Sequence, residues 1–284
     1  MSAAIEPVLV PLGSAEIIEI AGPDAVAFAH AQFTSDVAGL AVGNWQYSAW
    51  LSAQGRARCV FVLLRTDADR LLAWLPLGGV AAIRDALARF VLRAKLKVEA
   101  RDGWAFARVE ATALDVQPRE VRTHGEGYFF AQPGPDERIA WLGRASGQST
   151  QSAALDAWRL VDIAARLPWL APELQDEFVP QALDLPLIDA IRFDKGCYPG
   201  QEIAARLHFR GGAKRGLYRL RLTGDNPVTE GLRIENDKGE SGVVLYGAST
   251  GAGEYEALCV LGDAMAQSPR LVSASRHSAE IVAP

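Results

Sequence analysis

The last third of the chain can bury its apolar residues only by pairing strands. Beyond Arg206 they fall in short runs, Tyr218–Leu222, Leu232–Ile234, Gly242–Tyr246 and Glu256–Leu261. Each run is too short for a helix and is bounded by Gly, Asn or Asp, the residues that serve tight turns. Runs of this length and spacing predict a small β-barrel or sandwich.

Upstream, strands and helices are mixed. Val8–Leu12 and Glu16–Ile20 read as strands, Gly22-Pro23-Asp24 as a turn, and Ala25–Phe33 as a short helix. Trp45–Leu51 and Ala57–Leu64 flank Ser52-Ala53-Gln54-Gly55, a hairpin signal. Arg70–Pro76, Leu96–Ala100 and Trp104–Val109 read as further strands. Val80–Leu92 reads as a helix with Ile83, Leu87 and Val91 on one face. The stretch 110–150 is rich in Gly, Pro, Gln, Ser and Thr and is expected to be peripheral, with one strand at Tyr128–Phe130. Ala153–Leu167 predicts a helix that Pro168 ends. The class is α+β, with a body of mixed elements over 1–205 and a small β-barrel or sandwich over 206–284.

Composition excludes several classes. With 49% hydrophobic and 22% charged residues over 284 positions, the chain is ordinary for a globular protein. No apolar run approaches the roughly 18–20 residues of a membrane span, and Met1–Pro7 lacks the features of a signal peptide. The three cysteines, Cys59, Cys197 and Cys259, form neither a disulfide framework nor a CxxC metal site, so a reducing cytoplasm is expected. The four histidines, His30, His124, His208 and His277, are scattered, so no protein-built metal site is expected. A net charge of −5 argues against a wholesale nucleic-acid binder.

One octet stands out: Lys195-Gly196-Cys197-Tyr198-Pro199-Gly200-Gln201-Glu202. A thiol framed by two glycines reads as a tight loop, and Gln201–Arg206 as the opening of a helix. A nearby ammonium, Lys195, and a helix N-terminus both favour thiolate over thiol. The alternative for Cys197 is a buried turn with a small half-polar filler. Cys59, inside a strand of Val and Phe, reads as core. Gln201 and Glu202 serve equally well as the first turn of a helix, and Tyr198 as packing.

The motif Lys195-Gly196-Cys197-Tyr198-x-Gly200-Gln201-Glu202 resembles the signature of the YgfZ-type, T-protein-like folate-binding family. Phe178-Val179-Pro180-Gln181-Ala182 resembles that family's "FxPQ" connection. Arg206-x-x-Phe209-Arg210-Gly211 with Lys214-Arg215 resembles its "RxxFRGxxKR" run. Ile20–Val37 and Gln54-Gly55-Arg56 resemble its N-terminal stretch and first hairpin.

The resemblance implies a multi-lobed T-protein-like (aminomethyltransferase) fold with a C-terminal β-barrel. It also implies tetrahydrofolate as ligand and a role in assembly or repair of iron–sulfur proteins, including radical-SAM tRNA-modifying enzymes, under oxidative stress. Cys197 carries the family's functional cysteine, with Lys195, Tyr198, Gln201 and Glu202 around it. Trp158 matches the family's folate-site tryptophan, and Arg206 offers charge for a folate glutamate or an acidic client. The N-terminal family tryptophan falls near Ala15 and is absent. Expected partners are iron–sulfur clients or assembly proteins and folate, with no membrane and no direct nucleic acid.

The other reading is a folate-dependent aminomethyltransferase. T-proteins carry an Asp pair where this chain has Arg58-Cys59, and a folate-contacting Glu where it has Ala164, with Asp162 two residues away. A transferase needs a general base there, so functional transferase chemistry is not expected.

Overall fold

The computed structural model describes residues 7–111, 115–134, 138–144, 152–212, 214–268, 271–273 and 275–282. The first elements are β1 (Val8–Ser14), β2 (Ile17–Ala21), α1 (Ala25–Gln32), β3 (Asn44–Leu51), β4 (Ala57–Asp67) and β5 (Arg70–Trp74). They are followed by α2 (Val80–Ala88), β6 (Lys97–Ala100), β7 (Trp104–Ala111), β8 (Val121–His124), β9 (Gly127–Ala131), β10 (Ile139–Arg144) and α3 (Ser152–Ala164). Three short 3-10 turns, Pro172–Leu174, Pro180–Leu183 and Leu185–Ile188, lead to α4 (Gln201–Arg210). The chain closes with β11 (Arg215–Thr223), β12 (Arg233–Asn236), β13 (Ser241–Gly251), β14 (Glu254–Gly262), β15 (Leu271–Ser273) and β16 (Ser278–Ile281).

The chain forms two compact units: one of residues 1–29, 37–46 and 61–161, the other of 30–36, 47–60 and 162–284. The second takes in the 162–205 stretch beside the barrel, where a single cut after 205 was expected. The loop that carries Cys197 therefore belongs to the barrel's unit.

In the first unit, one five-stranded sheet has the order β1-β7-β10-β9-β8. Another five-stranded sheet of the chain has the order β3-β4-β5-β2-β6, with continuous apolar runs in β4 and β5. Val62, Leu63 and Leu64 in β4 and Leu71–Trp74 in β5 are all buried, as an unbroken apolar run requires. Trp74 packs on Phe106 at 4.6 Å between ring centres, and Trp45 on Phe130 at 5.7 Å. Glu19, buried in β2, accepts from Arg101 Nε at 2.9 Å and pairs with its Nη2, a twin contact that satisfies the buried carboxylate.

The stretch 110–150, expected to be peripheral, supplies β8, β9 and β10 of the first sheet, with β10 at its centre. Phe129, Phe130, Ala140 and Leu142 are fully buried there. Among the described residues, His124-Gly125-Glu126-Gly127 makes the tight connection between β8 and β9, where Gly125 takes φ 57°.

Two helices, α2 and α3, stop short of their expected ends. α2 ends at Ala88, because its buried stripe of Val80, Ile83 and Leu87 runs out: beyond it Phe90 and Leu92 are exposed, and Val91, expected on the same face, is only half-buried and outside the helix. α3 ends at Ala164, three residues before the expected end, with Arg166 in the left-handed region (φ 56°).

In the second unit, β11-β14-β13-β12-β15-β16 close into a barrel. Leu220, Leu222, Ile234, Val244, Cys259 and Leu261 fill it. β15 and β16 complete the closure, with β16 pairing β11 from Leu220–Ile281 to Thr223–Ser278. These two strands, three and four residues long, have too little alternation to read from sequence. The Tyr246 hydroxyl donates to the Leu167 carbonyl at 2.7 Å. No helix among the described residues is long and apolar enough to cross a membrane.

Candidate functional site: the Cys197 loop

The approach to the loop is fixed by one buried threonine. Thr34 Oγ1 donates to the Ala190 carbonyl at 2.6 Å and accepts the Ala49 amide at 3.0 Å, while the Thr34 carbonyl accepts the Arg192 amide at 2.8 Å. Residues 190–192 are thereby held against 34 and 49. The chain then runs without regular structure to α4.

Lys195 turns inward. Its Nζ donates to the carbonyls of His30, Phe33 and Ser35 at 2.5–2.9 Å. The ammonium thus ties the last turn of α1, at His30, to Phe33 and Ser35 just beyond it. Lys195 was expected beside the thiol as an activating charge, but all three of its protons are committed to main-chain oxygens. The side chain acts as a brace. Burial pulls its pKa down to about 8, with Asp36 acting in the opposite sense.

Tyr198 completes the brace. Its ring lies 5.0 Å from the Lys195 Nζ, within cation–π range, and its hydroxyl donates to the Arg192 carbonyl at 2.9 Å. Burial pushes the phenol well above its ordinary pKa, so it stays a neutral donor. Gln201 Nε2 reaches the Lys195 carbonyl at 3.4 Å, and Gln181 Nε2 donates to the Ala204 carbonyl at 2.7 Å.

Gly200 starts α4 in the left-handed region (φ 74°), its backbone against Ser52 and Gly55 of the hairpin. The resembling segments Gln54-Gly55-Arg56 and Gly200-Gln201 thus meet in space.

Cys197 is exposed and free, whereas Cys59 and Cys259 are buried. Burial raises the Cys59 thiol pKa to about 12 and shifts Cys259 in the same direction. Glu202 and Arg206 point outward from α4. The loop therefore presents one accessible thiol while Lys195, Tyr198 and Gln201 hold its backbone. Among the described residues no group of three or more His, Cys, Asp and Glu could hold a metal ion.

Sequence reasoning missed His30. Its Nε2 lies 3.8 Å from where a Cβ of Gly196 would stand, and its Nδ1 is 3.4 Å from Asp36 Oδ1. Burial and the Lys195 charge lower its pKa against the pull of Asp36. A histidine in a polar helix end carries no spacing signal that would single it out.

Trp158 is in the first unit and is 5% exposed. Phe106 meets it edge-on at 5.1 Å, and the Arg138 guanidinium lies 3.7 Å from its ring centre. The positions noted for missing carboxylates are also engaged. Arg58 pairs with Asp176 at 3.5 Å and lies over Trp50. Asp162 accepts the Trp169 indole N–H at 3.0 Å, and Ala164 is exposed.

The fold is that of an aminomethyltransferase. The glycine cleavage system aminomethyltransferase T of Bartonella henselae superposes with a TM-score of 0.73 over 97% of this chain and 84% of its own, at 16% identity. In sequence, the chain is similar to proteins named tRNA-modifying protein YgfZ. That of Cronobacter sakazakii is 29% identical over 289 residues, 92% of this chain and 87% of the relative. That of Sodalis glossinidius is 28% identical, over 91% and 86% of the two chains. An uncharacterized protein of Haemophilus influenzae is 28% identical over 78% of this chain and 75% of its own. No family model matches the chain. The YgfZ-type, T-protein-like resemblance thus extends along most of the chain and into its fold.

Proposed function

We propose that the protein is a YgfZ-type factor that serves tRNA modification by maintaining iron–sulfur enzymes, with the Cys197 thiol as its working group. The observation that carries this reading is the exposed Cys197 on a loop that Lys195, Tyr198 and Gln201 hold in place. Relatives named for tRNA modification support the link to tRNA modification.

A single thiol supplies one ligand, and iron–sulfur clusters are held by about four. Cys197 therefore works with a second molecule, either by adding one thiolate to a client's cluster or by exchanging with a client disulfide. In the exchange, the Cys197 thiolate attacks one sulfur, a mixed disulfide forms and the client's other sulfur leaves as thiolate. The iron–sulfur protein is the client; the cluster is cargo.

Tetrahydrofolate is the small ligand that the resemblance offers. Arg206, exposed on α4, suits a glutamate carboxylate. Trp158 does not suit a pterin as it stands, because Arg138 already occupies the ring at 3.7 Å. No step of this reading runs through folate. Aminomethyl transfer has no support at Arg58, Cys59 or Ala164, none of which carries a carboxylate, and Asp162 is committed to Trp169.

The test is Cys197→Ala in cells that lack their own protein of this type. Iron–sulfur enzyme activity under oxidative stress should fall to the level of cells without the protein. Full activity with the variant would end the proposal.

A further inference from the structure

A cavity of about 410 Å³ in the second unit lies between the hairpin, the Glu177–Ala182 connection, the end of α4 and the start of β11. It is within the roughly 300–1,000 Å³ range of small-molecule sites. Its lining divides by chemistry. Phe178, Ala182 and Leu207 give an apolar wall, and Arg56, Lys214 and Arg215 bring three cations.

The charges are unbalanced. Glu177 is the acid in the described lining, and its Oε1 already accepts Arg233 Nη1 at 3.1 Å. Arg56 is steadied by donating through Nη1 to the Glu177 carbonyl at 2.5 Å, a neutral acceptor that leaves its charge uncompensated. Lys214 and Arg215 form no ion pair among the described residues. In a chain of net charge −5, three cations around one apolar hollow with its acid already paired is an arrangement that favours a bound anion.

We infer that this cavity binds a small anion carried on a flat apolar body, an aryl or heteroaryl phosphate or carboxylate. The body lies on Phe178, Ala182 and Leu207, and the anionic group faces Arg56, Lys214 and Arg215. The site goes beyond the thiol role proposed above and does not depend on it, since Cys197 is not in its lining.

Calorimetry on the full chain tests this with phenyl phosphate, phthalate and inorganic phosphate as probes. Phenyl phosphate or phthalate should bind at least about 10-fold more tightly than inorganic phosphate, because only they use the apolar wall. Lys214→Ala/Arg215→Ala should weaken that binding by about 10-fold or more. Both side chains are exposed, so the fold should survive, and an unchanged melting temperature would verify it. Cys197→Ala should bind like the unaltered protein. Phenyl phosphate binding best would mark a phosphate site, and phthalate binding best a carboxylate site; either supports the inference. It is overturned by no binding of either aromatic anion, by inorganic phosphate binding as tightly, by a double variant that binds unchanged, or by loss of binding in Cys197→Ala.

Discussion

Gly200 packs directly on Gly55: a methyl group on Gly200 would lie 2.6 Å from the Gly55 Cα and 2.4 Å from the Ser52 carbonyl oxygen. That approach, with φ at 74°, seats the first turn of α4 on the hairpin. Gly200→Ala has to strain the backbone and push two main-chain segments apart. It should cost about 2–4 kcal/mol of stability, read from the denaturant midpoint. A loss below about 0.5 kcal/mol, the range of an ordinary surface change, would mean that the contact does not hold the loop.

Lys195 is assigned a bracing role, which Lys195→Met separates from an electrostatic one. Methionine fills the space but leaves the carbonyls of His30, Phe33 and Ser35 without their shared donor. The loss expected is about 1–3 kcal/mol. Hydrogen exchange should rise at Arg192, whose amide is held by Thr34. Unchanged exchange and stability would contradict the brace.

The lowered Lys195 pKa has a definite consequence for pH. Below about 8 the side chain is charged in both folded and unfolded chains. Between about 8 and its ordinary value of 10.5 the folded chain has released the proton and the unfolded chain still binds it. The unfolded state then holds more protons, so this group's contribution to stability rises with pH across that window. The unfolding free energy of the unaltered protein minus that of Lys195→Met should therefore increase from pH 8 to 10.5. A decrease would reverse the assignment.

The three cysteines should differ sharply toward an alkylating reagent. In the native protein at neutral pH, iodoacetamide should modify Cys197 and spare Cys59 and Cys259, which are buried. Peptide mass mapping reads this directly. Modification of Cys59 or Cys259 as fast as Cys197 would contradict the placement of all three.

Trp158 is assigned to packing against Phe106 and Arg138. Trp158→Ala should lose about 3–5 kcal/mol of stability, the range for removing a large buried aromatic. Calorimetry with tetrahydrofolate should give the same heat for Trp158→Phe as for the unaltered protein. A lost heat in that milder variant would return Trp158 to a ligand site.

Much of this was legible in the sequence because it rests on local pattern. The hairpin at Ser52–Gly55, the barrel strands from Tyr218 to Leu261 and the helix after Gly200 follow from alternation and turn residues. What escaped depends on distant contacts. Nothing near Lys195 indicates that its ammonium reaches three carbonyls more than 150 residues away. The stretch 110–150 looked peripheral because polar turns dominate its composition, while Phe129, Phe130 and Leu142 carry its strands into the core. α2 stops where its buried stripe loses a partner, which periodicity alone does not report. Cys197 was found through its glycine frame and its family resemblance; that it is exposed took the fold to show.

The most direct test of the central claim replaces one atom. Cys197→Ser keeps the size and the exposed position, so stability should stay within about 0.5 kcal/mol. Expressed at equal levels in cells without their own protein of this type, the variant is compared with the unaltered chain for the fraction of tRNA carrying sulfur-containing modifications. The account predicts that the unaltered chain restores this fraction and Cys197→Ser leaves it at the level of cells with no protein. Full restoration by the serine variant would show that the loop's thiol is not the working group.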